Sequence, residues 1–311
     1  MTDNKTVCAA FWKHTNIRGG NRVFPCCRYK SSVQDFNGDV GDILHSKQYE
    51  NLRTNSLNGI KNSNCQKCYD EESQGHHSFR NWFNENYSRD EIKLEYLEAG
   101  FDNICNLACD GCWEEWSSTW WIKKNPDGVP KAGILNTEEF YNIPETLEKI
   151  VFLGGEPLMT NRHRKLLSEI DEISKLDVSY YTNGMFDISS HDIKFLDRCK
   201  SVTFFVSIDA VGKLNDKVRS GSNWKTIEKF ITDCPYKVII NSVIHRNNWH
   251  GMGDLYHWVK ENNLTWKLNV LTYPATLSIN FLDTNTKQKI IQLFQEYDID
   301  KKDYVLGFLS D

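Results

Sequence analysis

Three cysteines lie close together in the stretch Cys105-Asn-Leu-Ala-Cys109-Asp-Gly-Cys112, which directly follows an extended, strand-like run. Three thiolates at this spacing suit an iron–sulfur cluster better than a closed four-thiolate zinc site, because one metal corner is left without a protein ligand. An open corner is where chemistry can take place. The spacing also leaves open a zinc site completed by a distant histidine, or a set of reduced cysteines in the core.

A second motif, Gly154-Gly155-Glu156-Pro157, follows the apolar segment 149–153. Two glycines let the backbone come close to a ligand, and the carboxylate of Glu156 can pair with an ammonium group. On its own the motif could be an ordinary turn. Its position downstream of the cysteine motif favours a binding role.

The two motifs, in this order, resemble those of the radical S-adenosylmethionine (SAM) enzymes. In that family three cysteines hold a [4Fe-4S] cluster, whose open iron binds the amino and carboxylate groups of SAM before the sulfonium is cleaved reductively. The resemblance implies that Cys105, Cys109 and Cys112 are the cluster ligands. One residue departs from the family pattern, because Gly111 stands where an aromatic residue usually precedes the third cysteine. This change weakens a packing contact over the cofactor and leaves the ligand set intact.

Length, charge and cysteine content narrow the class of protein. The chain has 311 residues, enough for one large domain and a small one, and it contains no long apolar run and no signal-peptide core. The net charge of −5 gives no general electrostatic reason to bind nucleic acid. We therefore expect a cytoplasmic protein without a membrane partner, in which cysteines serve metal ligation rather than disulfides. Eight of the ten cysteines fall in two sets, and Cys199 and Cys234 are expected to be small core residues.

Residues 1–90 hold a second set of cysteines among short apolar pieces and turn signals, which predicts a hairpin and a helix tied together by metal. Cys65-Gln-Lys-Cys68 has the spacing of a metal-ligand pair. With Cys8 and Cys26 it completes four thiolates, which would close a cluster fully, and Cys27 competes with Cys26 for the fourth position. A structural zinc ribbon is the alternative that the spacing leaves open.

The N-terminal region also resembles the twitch domain, the one-cluster relative of the SPASM domain. The matching segments are Pro25-Cys26-Cys27-Arg28, Gly41-Asp42-Ile43, Asn51-Leu52-Arg53, Cys65-x2-Cys68-x2-Glu71, Gly75, Ser78 and Arg80. A twitch domain usually follows the radical SAM barrel, whereas here it precedes the barrel, as in a family of radical SAM proteins with an N-terminal twitch domain. The resemblance covers residues 8–280 and implies an auxiliary [4Fe-4S] cluster on Cys8, Cys26, Cys65 and Cys68.

From residue 94 strand-like segments alternate with amphipathic helical stripes. The six predicted strands cover residues 94–101, 149–153, 177–182, 202–208, 237–244 and 265–271. Repeated βα units predict a parallel sheet, and six of them indicate the α/β partial (β/α)6 barrel that the radical SAM family shares. We therefore predict a metal-tied twitch domain at 1–90, the partial barrel at 91–284, and a C-terminal helix and tail at 285–311.

Polar residues follow each of the first four predicted strands. Besides the two motifs above, Thr182-Asn183-Gly184 follows the third strand, and Ser207 with Asp209 ends the fourth. The C-terminal ends of barrel strands converge on one mouth, so we expect these residues to meet there.

The resemblance to the radical SAM family implies roles for these residues toward SAM. The predicted cofactor-binding residues are Gly154, Gly155, Glu156, Thr182, Asn183, Ser207, Asp209 and Arg219. Glu156 would hold the ammonium, Arg219 the carboxylate as a fork donor, and Ser207 with Asp209 the ribose hydroxyls. For Arg219 an exposed arginine at a helix entry is the alternative. No general acid–base pair stands out among the nine histidines, so no catalytic residue is assigned.

A long insertion, residues 113–136, separates the first predicted strand from the second and contains four tryptophans. Loops of this length usually form lids or binding surfaces, and an amphipathic cap over the core is the alternative. Aromatic surface with few charges suits an extended peptide or an aromatic group better than a heavily phosphorylated metabolite. We therefore predict a substrate lid in which Trp120 couples the substrate to the reaction.

Together these features predict a radical SAM enzyme that forms a 5′-deoxyadenosyl radical and abstracts hydrogen from a peptide or protein side chain. The auxiliary cluster would relay electrons, and a reductase such as flavodoxin or ferredoxin would supply them. The peptide substrate is implied by analogy with twitch and SPASM proteins. The alternatives are a radical SAM enzyme acting on a small molecule, such as a sugar or nucleoside, and a zinc-bearing binding module with aromatic loops.

Overall fold

The computed structural model describes residues 5–188, 190–299 and 302–309. The strands in these residues are β1 His14–Arg18, β2 Arg22–Phe24, β3 Gln34–Asp35, β4 Tyr96–Gly100, β5 Ala108–Cys109, β6 Lys149–Leu153, β7 Asp177–Thr182, β8 Ser201–Ser207, β9 Arg219–Ser220, β10 Lys237–Ile244 and β11 Thr265–Val270. The α-helices are α1 Ala10–Lys13, α2 Lys47–Leu57, α3 Gln66–Ser73, α4 Phe79–Asn86, α5 Ser118–Lys124, α6 Arg162–Ser168, α7 Ser190–Leu196, α8 Lys213–Val218, α9 Trp224–Asp233, α10 Met252–Glu261, α11 Thr284–Glu296 and α12 Lys302–Gly307.

All six strands predicted from the sequence are present, as β4, β6, β7, β8, β10 and β11, with bounds within two residues of the predicted ones. The chain divides into two compact units. The first contains the residues up to Asn103 together with Leu135–Val178 and Arg198–Ser201, and the second contains Ile104–Ile134, Ser179–Asp197 and the residues from Val202 onward. Strands pair in parallel in both units, which confirms the predicted α/β class.

In the first unit β4 lies between β1 and β6 and pairs in parallel with both. All five residues of β4 are buried, as expected for an interior strand of a parallel sheet. On its other side β1 forms an antiparallel hairpin with β2, and Gly20 (φ +79°) and Asn21 (φ +58°) supply the left-handed turn between them. The hairpin was predicted, whereas its parallel pairing with β4 was not.

In the second unit β10 pairs in parallel with β8 and β11. Burial alternates along β8: Val202, Phe204 and Val206 are buried, while the residues between them are partly exposed. The Phe204 ring packs edge-on against Phe230 of α9, with centroids 5.6 Å apart. Helix α9 therefore packs on the buried face of β8.

Candidate functional site

The cysteine loop, residues 104–112, is fastened by the start of helix α5. Three side chains of this segment donate hydrogen bonds to loop carbonyls: Thr119 to Cys105 O at 2.6 Å, Ser117 to Leu107 O at 2.6 Å, and the Trp120 indole Nε1–H to Cys109 O at 2.8 Å. Ser117 also caps the helix by accepting from the Trp120 N–H group. The beginning of the predicted lid is therefore a support of the cysteine loop, and Trp120 is one of its anchors.

The far end of the insertion folds back on the same helix. A Cβ atom placed at Gly133 would lie 2.2 Å from the Trp121 ring, and one at Gly128 would lie 2.7 Å from it. Only glycine leaves room for the indole at these two points. Trp121 thus packs inside the insertion itself.

The second support of the cysteine loop is a short antiparallel pairing of β5 with β9. It sets Cys109 opposite Arg219, and next to this pair the Asp110 N–H group donates to Val218 O at 2.8 Å. Arg219 was predicted as a site residue from its family position alone. The structure brings it directly beside the second cysteine of the loop.

The guanidinium of Arg219 is buried and charged. Its Nη1 donates to Asp209 Oδ2 at 2.7 Å, and the two side chains are only 12% and 8% exposed. Burial opposes the charge, but the neighbouring Cys109 thiol and the Asp209 carboxylate outweigh it and raise the pKa of Arg219. The Nε–H group is also buried and has no hydrogen-bond partner in the described part of the chain. A buried donor of this kind calls for an acceptor, and a ligand carboxylate would supply one.

Asp209 is held from several sides. Its Oδ1 accepts from the Val243 N–H group at 2.8 Å and its Oδ2 from Arg219, while its own N–H group donates to Asn215 Oδ1 at 3.0 Å. Both carboxylate oxygens already have protein donors. The geometry therefore shows Asp209 orienting Arg219, and the predicted contact with ribose hydroxyls remains a prediction.

Of the other predicted residues in the second unit, Asn183 reaches the cysteine loop. Its Nδ2 donates to Asn106 Oδ1 at 2.7 Å, and its Oδ1 accepts from the Met185 N–H group at 2.9 Å. Thr182 is buried, and its hydroxyl accepts from the Gly184 N–H group in the turn after β7. Ser207 ends β8 and is partly exposed.

The Gly-Gly-Glu-Pro motif lies after β6 in the first unit. Gly154 has φ +137°, and a Cβ atom there would lie 2.7 Å from the carbonyl oxygen of Asp102. Gly155 donates its N–H group to the same oxygen at 3.1 Å. The glycines thus permit a close approach to the protein's own backbone. Glu156 is buried, and its Oε1 caps the following turn by accepting from the Leu158 N–H group at 3.1 Å.

Sequence reasoning missed the polar run after the fifth predicted strand, residues 245–248. Asn247 Nδ2 donates to Asp110 Oδ2 of the cysteine loop at 2.8 Å, and Asn248 Nδ2 donates to Asp209 O at 2.8 Å. His245 is buried, and burial lowers the pKa of its imidazole. In the first four strands we looked for polar residues directly after the strand. The same search after the fifth strand would have found this segment.

Leu271 occupies the space beside Gly111. A Cβ atom at position 111 would lie 3.0 Å from Leu271 Cδ1. The missing aromatic side chain before the third cysteine is thus matched by an apolar side chain from the segment after β11. The departure from the family pattern is accommodated within the fold.

In the first unit the thiols of Cys8, Cys26, Cys65 and Cys68 lie near one another. Burial is the main cause that raises the pKa of Cys8 and of Cys26, and the charges of Cys65 and Cys68 raise it further in both cases. The charge of Cys8 also raises the pKa of Cys26. The thiol of Cys27 lies near the carboxylate of Glu98 and also near the thiol of Cys26, and the residue as a whole is exposed.

The described residues contain no group of three or more His, Cys, Asp or Glu side chains placed to hold a single metal ion. A [4Fe-4S] cluster makes a different demand, because each thiolate binds a different iron atom. The same residues include no helix long and apolar enough to cross a membrane.

A family model of the Radical SAM superfamily matches residues 101–259, about half of the 311-residue chain. The chain belongs to the radical SAM superfamily. Membership supports an enzyme that uses SAM and a [4Fe-4S] cluster, and it leaves the specific reaction open. The donor set fits these groups, because the cysteine loop adjoins Arg219, a buried arginine whose Nε–H group has no hydrogen-bond partner in residues 5–188, 190–299 and 302–309.

The chain is similar over 98 residues to GTP 3′,8-cyclase of Aliarcobacter butzleri (strain RM4018), with 26% identity. The match covers 30% of this radical SAM chain and 28% of the cyclase, so it spans little more than a quarter of that protein.

Solved structures similar to this radical SAM protein include anSMEcpe with bound AdoMet (TM-score 0.44, 17% identity, 68% of this chain and 62% of that chain). Another is anSMEcpe with bound AdoMet and the Kp18Cys peptide, with a TM-score of 0.47 and 16% identity; the match covers 69% of this chain and 61% of that chain. A third is Streptococcus suis SuiB bound to S-adenosylmethionine, with a TM-score of 0.44 and 16% identity; the match covers 81% of this chain and 53% of that chain. The chain spans between about half and three fifths of these proteins.

Proposed function

We propose that Cys105, Cys109 and Cys112 hold the SAM-binding [4Fe-4S] cluster and that Arg219 binds the carboxylate of SAM. The observation that carries the proposal is the buried Nε–H group of Arg219, which has no hydrogen-bond partner among the described residues, on a residue paired with Cys109 in the β5–β9 ladder. The charged guanidinium is oriented by Asp209, so the donor is fixed in place before the ligand arrives.

When bound, the cluster and SAM supply a 5′-deoxyadenosyl radical by one-electron cleavage of the sulfonium, the electron coming from a reductase such as flavodoxin or ferredoxin. The chain's own residues bind and orient. α5 holds the loop carbonyls, and Asn183 and Asn247 fix the loop from two neighbouring segments. Glu156 of the Gly-Gly-Glu-Pro motif would bind the ammonium of SAM. Hydrogen abstraction from the substrate is the chemistry that the cluster and SAM would supply at this site.

The N-terminal region is proposed to be a twitch domain with an auxiliary [4Fe-4S] cluster on Cys8, Cys26, Cys65 and Cys68. The mutual proximity of these thiols supports this ligand set, and the placement of Cys27 near Glu98 favours Cys26 as the fourth ligand. Four thiolates leave no open iron for a substrate, which favours a role in electron transfer.

The proposed substrate is a peptide or protein side chain. Aromatic residues crowd the segment that leaves the cysteine loop: Trp113 packs edge-on against Tyr273, with centroids 5.2 Å apart, and Tyr273 is 64% exposed. Such surfaces suit peptide side chains. A nucleotide is the second candidate, favoured by the similarity of 98 residues to GTP 3′,8-cyclase.

Anaerobic reconstitution followed by iron analysis and SAM cleavage tests the proposal. The wild type should hold about eight irons and release 5′-deoxyadenosine with dithionite, and replacing Cys105, Cys109 and Cys112 together by Ala should remove about four irons and abolish cleavage. A wild type that retains zinc and cleaves no SAM would support the zinc-bearing binding module instead.

A further inference from the structure

Cys26 lies in a segment of the first unit whose backbone is held on both sides by strand β1. The carbonyl oxygen of Pro25 lies 2.8 Å from Nδ1 of His14, and Arg18 Nη2 donates to the carbonyl oxygen of Cys27 at 2.9 Å. A carbonyl oxygen can only accept, so Nδ1 of the imidazole carries the proton and donates. The carbonyls of the residues before and after Cys26 are thus both bound by side chains of one strand.

These bonds fix the directions in which two neighbouring thiols point. Between the two bound carbonyls, the carbonyl oxygen of Cys26 accepts from the Tyr29 N–H group at 3.2 Å. Each peptide unit is planar, so a bound carbonyl fixes its whole plane, and the planes on both sides of a residue set the direction of its Cβ atom. Cys27 cannot take the place of Cys26 unless at least one of these planes turns and its hydrogen bond breaks.

The two donors are fastened to one buried carboxylate, that of Glu98. In the parallel register of β1 and β4, Asn16 stands opposite Glu98, and its Nδ2 donates to Glu98 Oε2. Asn16 Oδ1 in turn accepts from Arg18 Nε at 2.8 Å, and the Tyr96 hydroxyl donates to Glu98 Oε1 at 3.1 Å. Nε2 of His14 lies 3.7 Å from Glu98 Oε2. His14, Asn16 and Glu98 are all buried, so a buried polar network positions both donors.

We propose that His14 and Arg18 are positioning residues that make Cys26, rather than Cys27, the fourth ligand of the auxiliary cluster. The proposal rests on the proposed function, because it needs an auxiliary cluster in the first unit. The two cysteines are adjacent in the chain and carry the same chemistry, so only the fold can choose between them. Their thiols lie near each other, so an exchange of ligands needs only a local rotation once the two donors are removed.

The iron content of anaerobically reconstituted protein measures this exchange. The full-length chain is used with the three cysteines of the loop 104–112 replaced by Ala, so that iron reports the auxiliary cluster alone and should amount to about four atoms. Cys26→Ala should remove nearly all of it. Adding His14→Leu and Arg18→Met should restore about two irons or more, and replacing Cys27 by Ala as well should remove them again. Loss of stability alone can only lower the iron content, so a recovery reports positioning.

Two further variants of the Cys26→Ala protein serve as matched controls. Arg22 of β2 also donates to a backbone carbonyl, that of Gly19 at 3.0 Å, and Arg22→Met should restore no iron. His14→Asn keeps an N–H donor at the δ position of the side chain, so it should still hold the Pro25 carbonyl and restore no iron either.

Three results would overturn the proposal: no recovery of iron in the released variant, recovery that survives the loss of Cys27, or recovery with either control. Circular dichroism and thermal melting report whether the released variant folds. If it does not, Arg18→Met alone takes its place and must restore iron in the same way, since Arg18 is only partly buried. Failure of the proposed function is seen separately, as a protein with Cys26 and Cys27 intact and the loop cysteines replaced that binds no iron.

Discussion

The ion pair between Arg219 and Asp209 gives the sharpest test of the SAM site. The two side chains are 12% and 8% exposed and meet at 2.7 Å. Arg219→Met would remove the cation and leave a buried Asp209 carboxylate with the Val243 N–H group as its remaining donor to the side chain. Breaking a buried pair from one side typically costs about 3 to 5 kcal/mol of unfolding free energy.

A second substitution separates stability from binding. Asp209→Asn in the Arg219→Met background removes the uncompensated charge and keeps an oxygen acceptor for Val243. Replacing both members of a buried pair is often close to neutral, so the double variant should recover most of the lost unfolding free energy. It should still bind SAM roughly 30-fold or more weakly, because a lost charge-assisted contact costs about 2 to 5 kcal/mol.

The assay is a double-mutant cycle on anaerobically reconstituted protein. Urea unfolding gives the stability of the wild type, both single variants and the double variant, and equilibrium titration gives the SAM dissociation constant for each. A stable double variant that binds SAM as tightly as the wild type would show that Arg219 does not hold the cofactor carboxylate. A double variant no more stable than Arg219→Met would show that the stranded Asp209 charge is not the cause of the instability.

Three further predictions concern the cluster and cofactor residues. Trp120→Phe deletes the indole hydrogen bond to the cysteine loop, so it should lower the unfolding free energy by about 1 kcal/mol and speed iron loss to a chelator. Trp121→Phe, at an indole with no hydrogen bond to a cysteine-loop carbonyl in the described part of the chain, should leave the rate of iron loss unchanged, and equal iron release from both variants would contradict the anchoring role. Glu156→Ala should keep both clusters and weaken SAM binding roughly 30-fold or more, and an unchanged dissociation constant would remove this residue from the site. Cys26→Ser should lose about four irons while Cys27→Ser loses none, and the reverse pattern by iron analysis would assign the ligand to Cys27.

Local sequence was enough to predict the strands and the chemistry of the motifs. Apolar runs such as 149–153 and 237–244 form strands at the predicted residues, because their burial depends on a short-range pattern. The C-x3-C-x2-C spacing indicated the cluster type for the same reason, since its ligands are neighbours in the chain. The match over residues 101–259 confirmed the radical SAM interpretation, and the assignment of the individual cysteine ligands stays a prediction.

Contacts between distant residues could not be read in this way. The parallel pairing of β1 with β4 joins segments some eighty residues apart, and the pairing of Cys109 with Arg219 joins residues more than a hundred apart. Nothing in the local pattern distinguishes the correct partner from other extended segments, because strand pairing uses backbone groups that every residue carries. The tertiary structure alone shows which strands meet.

The roles of individual side chains were likewise decided by packing. Trp120 looked like part of a substrate lid because it is aromatic and follows the cysteines, yet its indole N–H group is directed at the carbonyl of Cys109. The sequence determined which residue types stand near the three cysteines along the chain and therefore what chemistry is available. The tertiary structure decided which of them face the cysteine loop, because hydrogen-bond direction and burial are set only once the chain is folded.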